Sequence, residues 1–216
     1  MPHLVASVLC GVVMLGVLNP LYLAIKRRPG RGIATFVKVA CTGLGLALAL
    51  WGALAASSPF GWWMVAGLAL CLLGDVLIVF SLVPGMAAFL LGHIGYMIAF
   101  CMLAPPRWIS LPVFAVLLAV VALLFRSTFH AMGKLTPAYV AYAAVLLAML
   151  SLALALPAGL GARGWVVALG ALLFTLSDLT LARGLLVKAT PLGDAVCLTL
   201  YYGAQFTLAL SVFFPW

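Results

Sequence analysis

The sequence contains no glutamate. Its three acids are all aspartate, Asp75, Asp178 and Asp194, set against 11 Lys and Arg in 216 residues. Charged residues make up 6% of the chain, where a soluble domain carries roughly 25%. That scarcity excludes an ordinary soluble enzyme and a disordered chain. Paired cysteine spacings are missing too. Cys10, Cys41, Cys71, Cys101 and Cys197 form no Cys-x-x-Cys pair and each lies in an apolar run, so a disulfide-built secreted module and a zinc site are excluded and the thiols read as small hydrophobes. There is no aromatic-interleaved basic groove and no nucleic-acid motif, so the formal charge of +8 does not point to nucleic acid. What remains is 68% hydrophobic residues in runs long enough to cross a bilayer.

A hydrocarbon core near 30 Å needs about 20 apolar helical residues. Measured that way, the chain reads as all-α, a single membrane domain over 1–216 with eight transmembrane helices at about 4–25, 33–56, 62–83, 85–104, 108–125, 137–156, 164–183 and 194–214. Turn chemistry separates them: Arg28-Pro29-Gly30, Ser57-Ser58-Pro59, Pro84-Gly85, Pro105-Pro106, Thr136-Pro137, Gly159 to Gly164 and Pro191-Leu192-Gly193. The runs do not alternate as barrel strands do. Met-Pro-His-Leu has no Lys or Arg ahead of the first run, and no small residue precedes Cys10 where a cleavage site would need one, so the first run reads as a retained helix.

Lys26, Arg27, Arg28, Arg31, Arg126, Lys134, Arg183 and Lys188 follow odd-numbered spans; Arg107 and Arg163 follow even-numbered ones. The positive-inside rule places the first set in the cytoplasm and both termini outside, in what would be a bacterial inner membrane. The chain also repeats. Gly61-Trp62, Gly67, Leu70, Leu73 and Asp75 recur at the same offsets as Gly164-Trp165, Gly170, Leu173, Leu176 and Asp178, and Gly85 and Gly95 match Gly193 and Gly203. This predicts a four-plus-four parallel pseudo-repeat about an axis along the membrane normal.

Helix direction puts the interior polar residues in one half of the bilayer: Asn19, Lys38, Asp75, His93, Tyr142, Asp178, Tyr201, Tyr202 and Gln205. Helical spacing places Asn19 with Tyr22, Lys38 with Thr42, His93 with Tyr96, Thr175 with Asp178, and Tyr201 with Gln205. A central Asp costs about 2.5–3.5 kcal/mol on insertion scales, which marks intramembrane acids as functional candidates; the structural alternative is a buried Asp–Lys or Asp–His pair that fixes helix register. Asp194, after Gly193, reads as a helix N-cap. Two carboxyls in unlike apolar surroundings take up different protonation states, the arrangement of an acid–base pair. No Gly-x-Ser-x-Gly, His-Glu-x-x-His or phosphate loop is present, and the chemistry calls for no cofactor and no metal.

Leu73-Gly74-Asp75-Val76-Leu77, Gly85-Met86-Ala87-Ala88-Phe89, Gly92-His93-Ile94-Gly95-Tyr96, Leu176-Ser177-Asp178-Leu179 and Tyr201-Tyr202-Gly203-Ala204-Gln205, with Tyr142 and Met149 in the sixth span, resemble the YhhN family of membrane lysoplasmalogenases. The match runs in order over nearly the whole chain. It departs at Lys38, which is followed by Val39-Ala40 where the family tends to have a proline. The resemblance implies hydrolysis of the vinyl ether bond of a lysophospholipid, lysoplasmenylcholine or lysoplasmenylethanolamine, to a fatty aldehyde and glycerophosphocholine or glycerophosphoethanolamine. Asp75 and Asp178 would share acid and base roles, His93, Tyr202 and Gln205 would orient water or the oxygens near the headgroup, and Lys38 with Arg31 would attract the phosphate. The competing class is a proton-coupled lipid or small-molecule transporter, which would also use interior acids and parallel repeats. No Gly-x-x-x-Gly face is present to specify helix association between copies.

Overall fold

The structure is a computed structural model that describes residues 2–26 and 31–216. Arg27, Arg28, Pro29 and Gly30, expected to form a basic turn, lie outside the described residues, as does the side chain of Arg31. The order is α1 (Pro2–Gly11), a π-helical segment (Val12–Leu18), α2 (Asn19–Ile25), α3 (Arg31–Ala56), α4 (Pro59–Phe80), α5 (Leu82–Leu103), α6 (Ser110–Phe125), a 3-10 segment (Arg126–Leu135), α7 (Thr136–Ala155), α8 (Pro157–Leu160), α9 (Ala162–Leu186) and α10 (Pro191–Ser211). There is no strand among the described residues.

Six stretches of the described chain are long and apolar enough to cross a membrane: Val5–Ile25, Gly32–Ala56, Pro59–Phe80, Leu82–Leu103, Ser110–Leu160 and Ala162–Leu186. Ser110–Leu160 holds both α6 and α7. These pack against each other, so the run folds back through the 3-10 segment, where Gly133 has φ 53°. α10 is of spanning length, 21 residues, but Asp194, Thr199, Tyr201, Tyr202 and Gln205 make it more polar. The outward faces carry exposed Phe36, Phe80, Leu111 and Leu123, apolar surface of the kind that faces lipid.

Several helices begin earlier than the turn signals predict, and proline is the reason. α4 starts at Pro59 and not at 62, α5 at Leu82 and not at 85, α10 at Pro191 and not at 194. Proline in a first turn has no hydrogen bond to lose and a backbone already set for helix, so it opens these helices and does not separate them. Between α4 and α5 the break is the extended Ser81 alone, φ −155° and ψ 137°. Asp194 is therefore not the N-cap. Thr190 caps α10, its Oγ1 accepting from the Gly193 N–H at 3.0 Å. Asp194 stands in the first turn, where its charge suits the helix dipole, and pairs with Lys26 at 2.7 Å. Thr190→Ala is expected to cost about 1 kcal/mol of stability, read as a lowered melting temperature in detergent; an unchanged melt would return the cap to Asp194.

Packing follows a closed order. α3 lies against α4, α4 against α5, α5 against α7, α7 against α9, α9 against α10, and α10 against α3. α6 sits outside this ring on α7, and the first span sits outside it on α3 and α10. The ring is filled with side chains; Tyr96, Tyr202, Phe100, Phe174, Met149 and Leu208 are fully buried. The tightest seam, α4–α5, rests on small residues: a Cβ on Gly67 would stand 2.5 Å from the Tyr96 ring and 3.1 Å from the Gly92 carbonyl oxygen. Interhelical packing in a bilayer relies on such close approach.

Candidate active site

Asp75 occupies the core of the ring on α4. Its side chain is 1% exposed. A carboxylate there needs donors and a countercharge, and three side chains provide them. Thr42 Oγ1 of α3 donates to Asp75 Oδ2 at 2.6 Å, Tyr201 Oη of α10 donates to the same oxygen at 2.7 Å, and Lys38 Nζ lies 3.0 Å from Oδ1. The spacing of Lys38 and Thr42, one helical turn, lets one face of α3 hold both carboxylate oxygens. Lys38, expected to serve a phosphate, directs its ammonium to Asp75.

Asp178 on α9 forms a second centre. Tyr142 Oη of α7 donates to Asp178 Oδ2 at 2.5 Å, and His93 Nε2 of α5 stands 3.8 Å from the same oxygen. His93 is wholly buried, edge-on to the rings of Phe174 (centroids 4.7 Å) and Tyr142 (5.4 Å). Phe174 also meets Tyr201 at 5.4 Å, so one aromatic ring is a wall common to both carboxyl centres.

The remaining predicted residues are Asn19 on α2 and Tyr202 and Gln205 on α10. Asn19 Nδ2 donates to Thr199 Oγ1 at 2.9 Å, tying α2 to α10. Tyr96 Oη donates to Gln205 Oε1 at 3.2 Å and contacts Cys71 Sγ at 3.6 Å. Tyr202 Oη, Gln205 Nε2, Asn19 Oδ1 and both ring nitrogens of His93 are buried without a hydrogen-bond partner among the described residues. Native interiors hold few such atoms, and each calls for a reason. Here they lie on α2, α5 and α10, of which α5 and α10 bring His93 and Tyr201 to the carboxyls; of the other orphaned side-chain atoms, Asp75 Oδ1 faces Lys38 and only Ser110 Oγ belongs to neither group. Buried donors and acceptors in such a cluster suit water and a polar substrate group.

Residues outside the candidate set also contribute. Thr42 was visible only as a neighbour of Lys38 on one helix face, and Tyr96 only as a neighbour of His93. Thr199 and Cys71 carried no signal, because a lone hydroxyl or thiol in an apolar run has no spacing to mark it. Thr175, expected to share a face with Asp178, turns its hydroxyl to the Ala171 carbonyl of its own helix (2.9 Å), the usual local bond of a helical Thr.

The YhhN family model matches residues 33–212, a stretch that includes both carboxyl centres. The chain is 32% identical over 190 residues to lysoplasmalogenase TMEM86B of Sus scrofa, covering 87% of this chain and 74% of that protein. It is 34% identical over 181 residues to lysoplasmalogenase TMEM86B of Homo sapiens, covering 76% of this chain and 70% of that one. No solved structure matches the chain.

Proposed function

Because the chain belongs to the YhhN family, we propose that it is an integral membrane hydrolase that cleaves the vinyl ether bond of lysoplasmalogens, releasing a fatty aldehyde and glycerophosphocholine or glycerophosphoethanolamine. The observation that carries this reading is the pair of interior aspartates, each fixed by hydroxyls from neighbouring helices. A vinyl ether is cleaved by proton delivery to its β-carbon. The resulting oxocarbenium ion takes up water, and the hemiacetal collapses to aldehyde and alcohol. That sequence needs a carboxylic acid, and a carboxylate to steady the cation and guide water. Asp75 and Asp178 supply these. His93, Tyr202 and Gln205, with buried polar atoms to offer, orient the water and the substrate oxygens, and the fatty chain lies along apolar helix faces.

The same reading takes the chain as one membrane domain of eight spans, counting α6 and α7 separately and including α10. The helix contacts support a four-plus-four duplication. α3, α4 and α5 follow one another in the ring as α7, α9 and α10 do, each half with its first span outside. The register that aligns Gly85 and Gly95 with Gly193 and Gly203 also aligns His93 with Tyr201. Each aspartate is then held by a residue from the preceding ring helix of its own half, Lys38 or Tyr142, and met by one from the last helix of the other half, Tyr201 or His93. The loop charges support an inner-membrane orientation with both termini periplasmic and the site toward the cytoplasmic leaflet.

The test is incubation of purified full-length protein with lysolipids bearing vinyl ether, alkyl ether or ester chains, with products read by mass spectrometry. Aldehyde from the vinyl ether alone is expected. Fatty acid from the ester would make it a lysophospholipase, and uptake into proteoliposomes without turnover would make it a transporter.

A further inference from the structure

The two carboxyls differ in one respect that decides their chemistry: only Asp75 has a fixed cation. Lys38 Nζ stands 3.0 Å from its Oδ1, and Thr42 and Tyr201 both donate to its Oδ2. A carboxyl with an ammonium on one oxygen and two hydroxyl donors on the other is held as the anion. Around Asp178, α7 contributes Tyr142, α5 contributes His93 and α10 contributes the Cys197 thiol. No Lys or Arg among the described residues lies within ion-pair distance of it. The His93 ring is enclosed by Phe174 and Tyr142, and neither of its nitrogens has a hydrogen-bond partner among the described residues, so it is poorly placed to carry a charge. Access differs as well. Asp178 is 11% exposed and Asp75 1%, and an acid that protonates carbon must touch that carbon.

We propose that the aspartates divide the reaction by charge: Asp178 is the neutral acid that protonates the vinyl β-carbon, and Asp75, fixed as a carboxylate by Lys38, steadies the oxocarbenium ion and accepts a proton from the attacking water. This rests on the hydrolase reading above. The C–H bond forms as the Asp178 O–H breaks and the vinyl π electrons move to carbon. Water then bonds to the cationic carbon and gives one proton to Asp75. On collapse, Asp75 passes that proton to the departing glycerol oxygen and Asp178 takes the hemiacetal hydroxyl proton. Both carboxyls return to their starting states, and one water is consumed. Lys38 is a positioning residue that acts through Asp75 and not on the lipid.

The scarcity of acids makes the assignment measurable. With three aspartates and no glutamate, the infrared spectrum of the full chain holds three side-chain carboxyls. It is recorded near neutral pH, without substrate, in a detergent free of carbonyl groups. One protonated-carboxyl C=O band, shifted in D2O, is expected in the natural chain. Asp178→Asn should lose it. The double variant Asp75→Asn/Lys38→Met, which leaves no lone buried ammonium, should keep it. Lys38→Met alone should gain a second band, as Asp75 without its cation takes up a proton. Absence of the band in the natural chain, its survival in Asp178→Asn, its loss in the double variant, or no second band in Lys38→Met would each overturn the proposal. These spectra need no turnover. Aldehyde release from the natural chain tests the hydrolase reading separately, so either can fail alone.

Discussion

Asp178→Asn protein is expected to release aldehyde about 10²–10⁴-fold more slowly than the natural chain, the usual loss when a positioned general acid is removed. Its KM should change little. Asn keeps the size of the side chain and can still meet Tyr142, so the site keeps its shape, and an effect confined to kcat is the mark of an interaction made in the transition state. Asp75→Asn should lose activity by a similar factor but differ in stability. It leaves the Lys38 ammonium facing a neutral amide where it faced a carboxylate at 3.0 Å, and removing one partner of a buried pair costs about 3–5 kcal/mol. Asp178 has no such partner, so Asp178→Asn should melt close to the natural chain. The two variants are thus separated by a melting curve even though both are slowed by a similar factor. Near-natural aldehyde release from either one, correctly inserted, would remove the aspartates from the mechanism.

The sequence made the aspartates legible because charge is costly in a bilayer and there was little else to distract from them. Composition and run length gave the helical membrane class. Helix direction alone puts Asn19, Lys38, Asp75, His93, Tyr142, Asp178, Tyr201, Tyr202 and Gln205 in the same half of the bilayer. Pairing across helices was not legible, because spacing reports neighbours on one helix and says nothing of which helix lies opposite. So Lys38 and Thr42 can be placed on one face, but not on Asp75, and His93 can be placed near a carboxyl, but not on Asp178 of α9. Asp194 was misread for a local reason. A Gly before an Asp resembles a helix start, yet Pro191 had already opened the helix and Thr190 had capped it. The first span also hides a departure. Pro20 has no N–H to offer the carbonyl one turn back, and the chain runs as a π segment over Val12–Leu18, with the Asn19 N–H on the Met14 carbonyl. Cys41 Sγ, 3.4 Å away, is a second donor to that carbonyl.

Gly67→Ala is the packing change expected to matter most, although alanine is the better helix former. The added methyl would stand 2.5 Å from the Tyr96 ring and 3.1 Å from the Gly92 carbonyl oxygen, and Gly95 backs onto the same glycine, its own Cβ position 3.3 Å from the Gly67 Cα. Neither backbone can yield without opening the α4–α5 seam, so the Tyr96 ring must move, and overpacking of this kind costs about 1–3 kcal/mol. That ring carries the hydroxyl that donates to Gln205 and meets Cys71. Its displacement frees Gln205, a residue of the helix that also presents Tyr201 to Asp75. Gly67→Ala should therefore lower both the melting temperature and aldehyde release, whereas Tyr96→Phe, which removes the hydroxyl but keeps the ring, should reproduce the activity loss with a smaller loss of stability. Gly43→Ala on α3 is the control, since a Cβ there meets nothing within 4 Å; it should gain or hold stability, as helix propensity alone directs. If Gly67→Ala melts with Gly43→Ala and turns over normally, the seam yields more easily than the contact distances imply, and packing at Tyr96 is not what positions Gln205 in the site.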